Sequence, residues 1–588
     1  MQMCKTIIEE GVACTKGRFY MYLKKSKRKN GRLYLSIVDG YYDSQRGHTR
    51  TKTIEKIGYA DAFADQYEDP VAHFEEVVAR MNEEKKAGKK RINISIDPNE
   101  TFDGDNAKNI GYAVLSCIYH ELEIDKFFEN RQHSIDAEYN MNAIMRLLVF
   151  ARLLMPGSKK KTYENRRWFF ERCDFSLDDL YRSLTRFSKF RDALQLWMHE
   201  RITASCGRDT SITYYDVTNY YFEIDKQDKL RRKGVCKEHR PNPIVQMGLF
   251  MDNSGLPIAY QLFSGNNNDC STLLPILQRI RREFGVGKAV VVSDKGMNTH
   301  KNAYYLANSR GGYVFSQSVR GGTKELKAYV LKESGYEWIG NDCKKKSRQF
   351  TRNAEFEDDN GNIVKAQIPE KQVIFYSRDY DKKAKADRAA VVMKAEQLVK
   401  NPDKFNKYNT HGAAKYIKHI EFDEKTGEII KAKSKLEFDK EVLAEEEKYD
   451  GYYVIVSSRY NASDDWIINT YKELWRIEET FKVTKSELEA RPVHVSREDH
   501  IESHFLTCFV ALVIIRLLQK KFDNKYSAEK ILNGLAKTCC ANMEGNQYVS
   551  HYNDDVVKEI GDAFGIDFRK KYRTLAEIKN IIANTKIR

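Results

Sequence analysis

The sequence predicts a mixed α/β fold, α+β over the whole chain. A sheet-based domain is interrupted by a β-rich insertion and flanked by an N-terminal β unit and helical regions. Three observations predict it. Polar and apolar residues alternate from about Phe19 to Tyr59 around "NG" (Asn30, Gly31) and "DG" (Asp39, Gly40). From Ile212 onward, three strand-like runs give way to alternating helix and strand. After a long α+β detour, "GYYVIVSS" returns at residue 451 to a buried strand. With 588 residues the chain is too long for one core, and about three to five units are expected.

The first element, residues 1–65, reads as a small antiparallel β unit with turns at both Gly-containing pairs. It is basic: Met1 to Ala60 holds thirteen Lys or Arg against five Asp or Glu, a net +8 of the chain's +15. Lys24, Lys25, Lys27, Arg28, Lys29 and Arg32 crowd one predicted turn, a pattern that suits a polyanion such as nucleic acid, with a solubilising surface as the alternative. Residues 66–106 read as a helix, Ala62 to Glu84, followed by a charged linker. Residues 107–205 are mainly helical and a possible DNA-binding region.

Residues 206–320 carry "ITYYDVTNYYFE", "IVQMGLFM" and "LPIAYQLF" as three meandering strands. A helix, the strand "KAVVVSD", a second helix and the strand "GYVFSQSV" follow. That order is the one of a ribonuclease H-like domain, whose first and fourth strands are central neighbours. It places Asp216 and Asp294 close together. Residues 321–450 read as an inserted α+β subdomain, 451–521 as the second part of the sheet domain, and 522–588 as a helical tail.

One long helix, about Asp465 to Leu488, supplies the third acid. Its apolar stripe runs Ile467, Tyr471, Leu474, position 478, Phe481, position 485 and Leu488, and two of its members are Glu478 and Lys485. A charge on a core-facing stripe needs a partner. Glu478 either pairs with a core Arg or Lys485, or joins Asp216 and Asp294 around divalent ions. Three carboxylates suit hard ions that activate water or a 3′-hydroxyl and stabilise a leaving oxygen.

At these residues the chain resembles the DDE transposases of bacterial insertion sequences, in the branch with a Y-x2-R-x3-E-x6-K helix and a β-rich insertion. "YKELWRIEETFKVTK" puts Tyr471, Glu478 and Lys485 in register, while Leu474 stands at the Arg position. "YYDVTNYYFE", "GNNNDCSTLLPIL" and "SDKGM" carry the same resemblance. It implies catalytic, metal-binding Asp216, Asp294 and Glu478, with Mg2+ (Mn2+ as a substitute). Tyr471 and Lys485 would contact DNA phosphates. The implied partners are double-stranded DNA, as inverted-repeat ends and target, and a second copy of the chain in a synaptic homodimer. The implied location is the bacterial cytoplasm, nucleoid-associated. The implied reaction is cleavage of the ends and their joining to target DNA. The alternatives are another ribonuclease H-like nuclease and a catalytically silent, transposase-derived DNA-binding protein.

Other features are weaker. Lys237 and Arg240, in the loop after the strand bearing Asp216, are candidate phosphate clamps, with a solvated loop as the alternative. Trp338 is a candidate base-stacking residue or a core Trp. The His residues of "RPVHVSREDHIESH" read as hydrogen-bonding and helix-surface groups, and Cys539 and Cys540 as packing. Eleven scattered cysteines without C-x-x-C exclude a zinc-ribbon or disulfide framework and suit the reducing cytosol. "MQMCKTIIEEGVAC" lacks a signal-peptide core, and "FLTCFVALVII" (505–515) is too short for a span and reads as a buried helix, so no membrane partner is expected.

Overall fold

The computed structural model describes residues 20–586 except 29, 44–47, 87–105, 136, 235–240, 402–409, 411, 419, 422–428, 430–435 and 544–545. The chain divides into two units, 1–101 and 102–588.

In the first unit, β1 (Met21–Lys27), β2 (Leu33–Asp43) and β3 (His48–Tyr59) form an antiparallel sheet in the order β1-β2-β3. The turn at Asn30-Gly31 is as expected, and Gly31 takes the positive φ of 78° that such a turn demands. The second expected turn is not there. Asp39 and Gly40 lie inside β2, opposite Lys52 and Thr51, because the strand pattern runs unbroken past them. The expected helix splits at Pro70: a short 3-10 turn (Ala60–Phe63) precedes the helix Pro70–Lys86, whose first amides donate to the Asp69 side chain. Val78 and Met81 of that helix pack against Ile37, so it belongs to the β unit rather than to a linker. The linker itself lies outside the described residues, as does Lys29.

The second unit is built on a nine-stranded mixed sheet. β5 (Ile212–Tyr221), β6 (Ile244–Asp252) and β7 (Pro257–Ser264) form the antiparallel meander, and β8 (Val290–Ser293) and β9 (Tyr313–Gln317) run parallel to β5. The order β9-β8-β5-β6-β7 is the one the strand pattern predicts. On the far side of β9 the sheet continues through β15 (Tyr452–Ser457), β12 (Ile363–Ser377), β11 (Cys343–Glu357) and β10 (Glu337–Ile339). The insertion's main hairpin, β11–β12, therefore extends the same sheet instead of forming a separate one. Its remainder has a small core of its own around Leu398, Ala413 and Tyr416, between the helix Arg378–Lys400 and the short pair β13 (Ile417–Lys418) and β14 (Glu437–Phe438). Most of the strand expected over 418–433 lies outside the described residues.

Side chains alternate across the sheet. Tyr215, Val217, Val291 and Phe315 face the helices Leu273–Glu283, His300–Ala307 and Lys324–Leu331. Tyr214, Tyr220 and Val292 face the other side, where the helix Glu498–Lys521 runs through the middle of the larger core. That helix is long and apolar enough to cross a membrane, yet nearly all of its most apolar stretch is buried within the protein. Its length exceeds the run seen in sequence because Arg516 and Gln519 are buried along with the apolar residues.

The C-terminal region is not purely helical. β4 (Ala107–Asn109) pairs with β16 (Cys539–Met543), which continues into β17 (Gln547–Ser550) and β18 (Tyr572–Thr574). A strand this short is set by its partner rather than by its own pattern. The Asn109 carboxamide donates to the Leu535 and Ala536 carbonyls at 2.8 and 3.0 Å. A Cβ at Gly111 would meet the Leu535 carbonyl oxygen at 2.2 Å. Gly111→Ala is expected to destabilise this unit by about 1–3 kcal/mol through that forced contact. Denaturant unfolding of the full chain measures it, and an unchanged midpoint would contradict the close approach.

Burial and the charge of Arg208 lower His199 to about 4, and Arg208 itself forms a buried ion pair with Asp252 at 3.2 Å. Unfolded His titrates near 6.5, so between these values the unfolded chain binds the extra proton and stability falls as pH drops from about 6.5 toward 4. His199→Asn should flatten that decline, as read by unfolding midpoints across the pH range. An equally steep loss in the variant would place its origin elsewhere.

Candidate active site

Strand pairing sets two of the three acids. β5 and β8 pair in parallel with Ile212, Thr213 and Tyr214 opposite Val290, Val291 and Val292. Continued by two residues, this register brings Asp294 alongside Asp216, on strands about 4.8 Å apart. The Ser293 hydroxyl ties the junction by donating to the Tyr215 carbonyl at 2.7 Å. Asp216 is half-buried, and by alternation it shares its face with Tyr214 and Tyr220. Asp294 caps a 3-10 turn (Lys295–Met297), accepting from the Gly296 amide at 2.9 Å.

The predicted long helix is two helices, Asp464–Lys472 and Trp475–Ser486, separated by a tight turn at Glu473 and Leu474. There the amides of Leu474, Arg476 and Ile477 donate to carbonyls three residues back. The break turns the core-facing stripe onto Ile477, Thr480, Phe481 and Thr484. Glu478 consequently lies beside the stripe, exposed, and is not the buried charge that the unbroken pattern implied.

The second helix crosses β5. Tyr214 feels the charges of Glu473 and Arg476, and Tyr220 Oη lies 2.6 Å from Thr484 Oγ1. These contacts bracket Asp216 against the turn bearing Glu478. Tyr471 links the acids: it hydrogen-bonds with Ser316 and lies near both Asp294 and Glu478. Burial foremost, helped by the two carboxylates, pushes its hydroxyl up to about 12. Among the described residues no three acid, His or Cys side chains stand close enough together to hold an ion as they are.

Lys485 is half-buried, with Nζ 5.8 Å from the centre of the Tyr220 ring. Leu474, at the signature Arg position, is buried in the core. Arg476 is occupied by Glu473 at 2.7 Å and the Asn253 carbonyl at 3.0 Å. Lys237 and Arg240 lie outside the described residues. Trp338 is 54% exposed on β10 rather than a core residue. His504 Nε2 donates to the Ala490 carbonyl at 3.0 Å, and His500 lies against Thr185, both as hydrogen-bonding groups. Cys540 is buried and Cys539 half-buried, in packing roles.

Three buried groups that hold the glutamate helix escaped the sequence reading. Arg516 donates to Thr480 at 2.8 Å and pairs with Glu479 at 3.3 Å. Arg152 donates to the Leu488 and Glu489 carbonyls, both at 3.1 Å. Thr484 meets Tyr220. The signal was available for the arginines, since each interrupts an otherwise apolar helical run.

No curated protein matches this chain. A solved structure, a piggyBac transposase synaptic complex with hairpin DNA, aligns over 81% of this chain and 84% of that one, at 8% identity and a TM-score of 0.36, too distant to carry an argument. Residues 222–514 match the family model of the transposase DDE domain, a span that includes Asp294 and Glu478 and begins six residues after Asp216. Residues 23–91 match the IS1634 family transposase N-terminal domain, and the span takes in both the β unit and its helix. Over these two spans the chain is thus similar to the transposase DDE domain and, ahead of it, to the N-terminal domain of IS1634 family transposases.

Proposed function

We propose that this protein is a DNA transposase that binds the inverted-repeat ends of its insertion sequence, cleaves them and joins the 3′-hydroxyls to target DNA. The observation that carries the reading is the β5–β8 register, which sets Asp216 beside Asp294 on the face crossed by the helix bearing Glu478. The strand order around those acids supports a ribonuclease H-like catalytic domain. The donor set fits Mg2+ or Mn2+: all three groups offer hard oxygens, and each is at least partly exposed. Asp216, Asp294 and Glu478 would hold the ions, which when bound supply activation of the attacking oxygen and stabilisation of the leaving one. Tyr471, its hydroxyl pushed up to about 12 by burial, would donate a hydrogen bond to a phosphate oxygen. Lys485, about two turns beyond Glu478, neutralises a neighbouring phosphate. The reading includes double-stranded DNA as partner, a homodimer at the synapsed ends and a cytoplasmic, nucleoid-associated location.

Asp216→Asn, Asp294→Asn and Glu478→Gln should each abolish metal-dependent cleavage of a duplex made from the DNA flanking the gene, while leaving its binding largely intact. Retained cleavage in any of them removes that residue from the centre. Cleavage of RNA–DNA hybrids without strand transfer would favour the nuclease alternative, and intact binding with no cleavage by wild type would favour the silent one. Lys485→Met keeps the stem's packing and removes the charge. It should lower the log–log salt slope of duplex binding by about 0.9 with an unchanged melting temperature. Normal cleavage with a lower melting temperature would make Lys485 a structural residue.

A further inference from the structure

The loops that follow the carboxyl ends of β8 and β9 line an open cavity of about 640 Å³ that begins at Lys295, the residue after Asp294. In sheets with parallel strands this is where ligands gather, outside the strand ends. One wall is the stretch from Lys295 to His300, one the glycine pair Gly321-Gly322 in "SVRGGT", and the third is the insertion strand β11. The lining contains Lys295, Arg348 and Arg352 and several carboxamides and hydroxyls, but no Asp or Glu. Such a wall repels cations and suits an anion of nucleotide size.

The three cations differ in availability. Arg352 is neutralised by buried Glu370 at 2.9 Å. Arg348 is held in place by Gln372 at 2.8 Å and lies 4.4 Å from the centre of the Tyr329 ring. Its one ion pair is to Glu325, which is 65% exposed and so a weak competitor. Lys295 is exposed and has no ion-pair or side-chain hydrogen-bond partner among the described residues. Asn298, also in the wall, donates to the Ser316 carbonyl at 3.0 Å and leaves its own buried Oδ1 without a donor. A nucleic-acid strand offers the cations their complement in its phosphates.

We propose that this cavity is a second nucleic-acid subsite, in which Lys295 and Arg348 grip the phosphodiester backbone of a strand passing Asp294. It rests on the reading of the chain as a DNA-processing enzyme and adds a contact surface, contributed by the insertion, that the three acids and the Tyr471–Lys485 pair do not include.

The test uses the full chain, a random-sequence duplex and a single-stranded oligonucleotide of the same length. Affinities are measured across a salt series for wild type, Lys295→Gln, Arg348→Gln and, as a control of equal charge, Lys579→Gln on the C-terminal helix. Each cavity variant should lower the log–log slope by about 0.9 on the strand form that occupies the cavity if that is duplex, or about 0.7 if single-stranded. Lys579→Gln should leave both slopes as they are. If Arg348→Gln melts early, Lys295→Gln, an exposed change, decides alone. Slopes equal to wild type, with wild type still binding and cleaving DNA, would overturn the subsite while leaving the proposed function standing. Wild type without salt-dependent binding to either probe would overturn both.

Discussion

Everything at the candidate centre depends on one pairing, the parallel register of β5 against β8. There Asp216, in the middle of an apolar strand, comes to lie beside Asp294, which follows the end of another. A shift of one residue would turn Asp216 or Asp294 to the opposite face, where Tyr215 and Val291 are now buried. The register is protected by that burial: both neighbouring strands are covered on both faces, and a slipped strand would bring an acid into an apolar core. The carboxylate pair is therefore a consequence of sheet packing rather than of any local signal.

The third acid obeys a different constraint. Its helix is fastened at three levels, by Arg476 to the β6–β7 turn, by Arg516 and Tyr220 at its middle, and by Arg152 at its end. These contacts fix the backbone while the Glu478 side chain itself is exposed. The turn at Glu473 and Leu474 separates the two helices, and beyond it Ile477 rather than position 478 is buried.

Much of this was legible in the sequence. The meander, the two parallel strands and the acids on them follow from apolar runs of strand length with turn residues between them, and those are local. Glu478 was singled out for a reason that does not hold: the stripe was read through a helix that in fact breaks, and beyond it Ile477 and Thr484 are buried where positions 478 and 485 were expected, while Phe481 stays in the core. The turn expected at Asp39-Gly40 failed because a Gly inside a long strand is tolerated when its neighbours pair. The strands near Cys539 and Tyr572 were missed because they are short and take their order from their partners: β16 from β4, more than four hundred residues away, and β18 from β17. The insertion looked like a separate subdomain because nothing in the sequence of β12 reveals that its partner is β15. Long-range pairing of this kind has no local signature.

The claim that Asp216 and Asp294 form the floor of a metal centre, with Glu478 closing it, is tested most directly by anomalous diffraction from Mn2+ in crystals of the protein bound to duplex DNA. The account predicts a strong peak between the two strand-borne carboxylates, with Glu478 swung in to ligate. A well-occupied peak elsewhere, or none while DNA is bound, would contradict it.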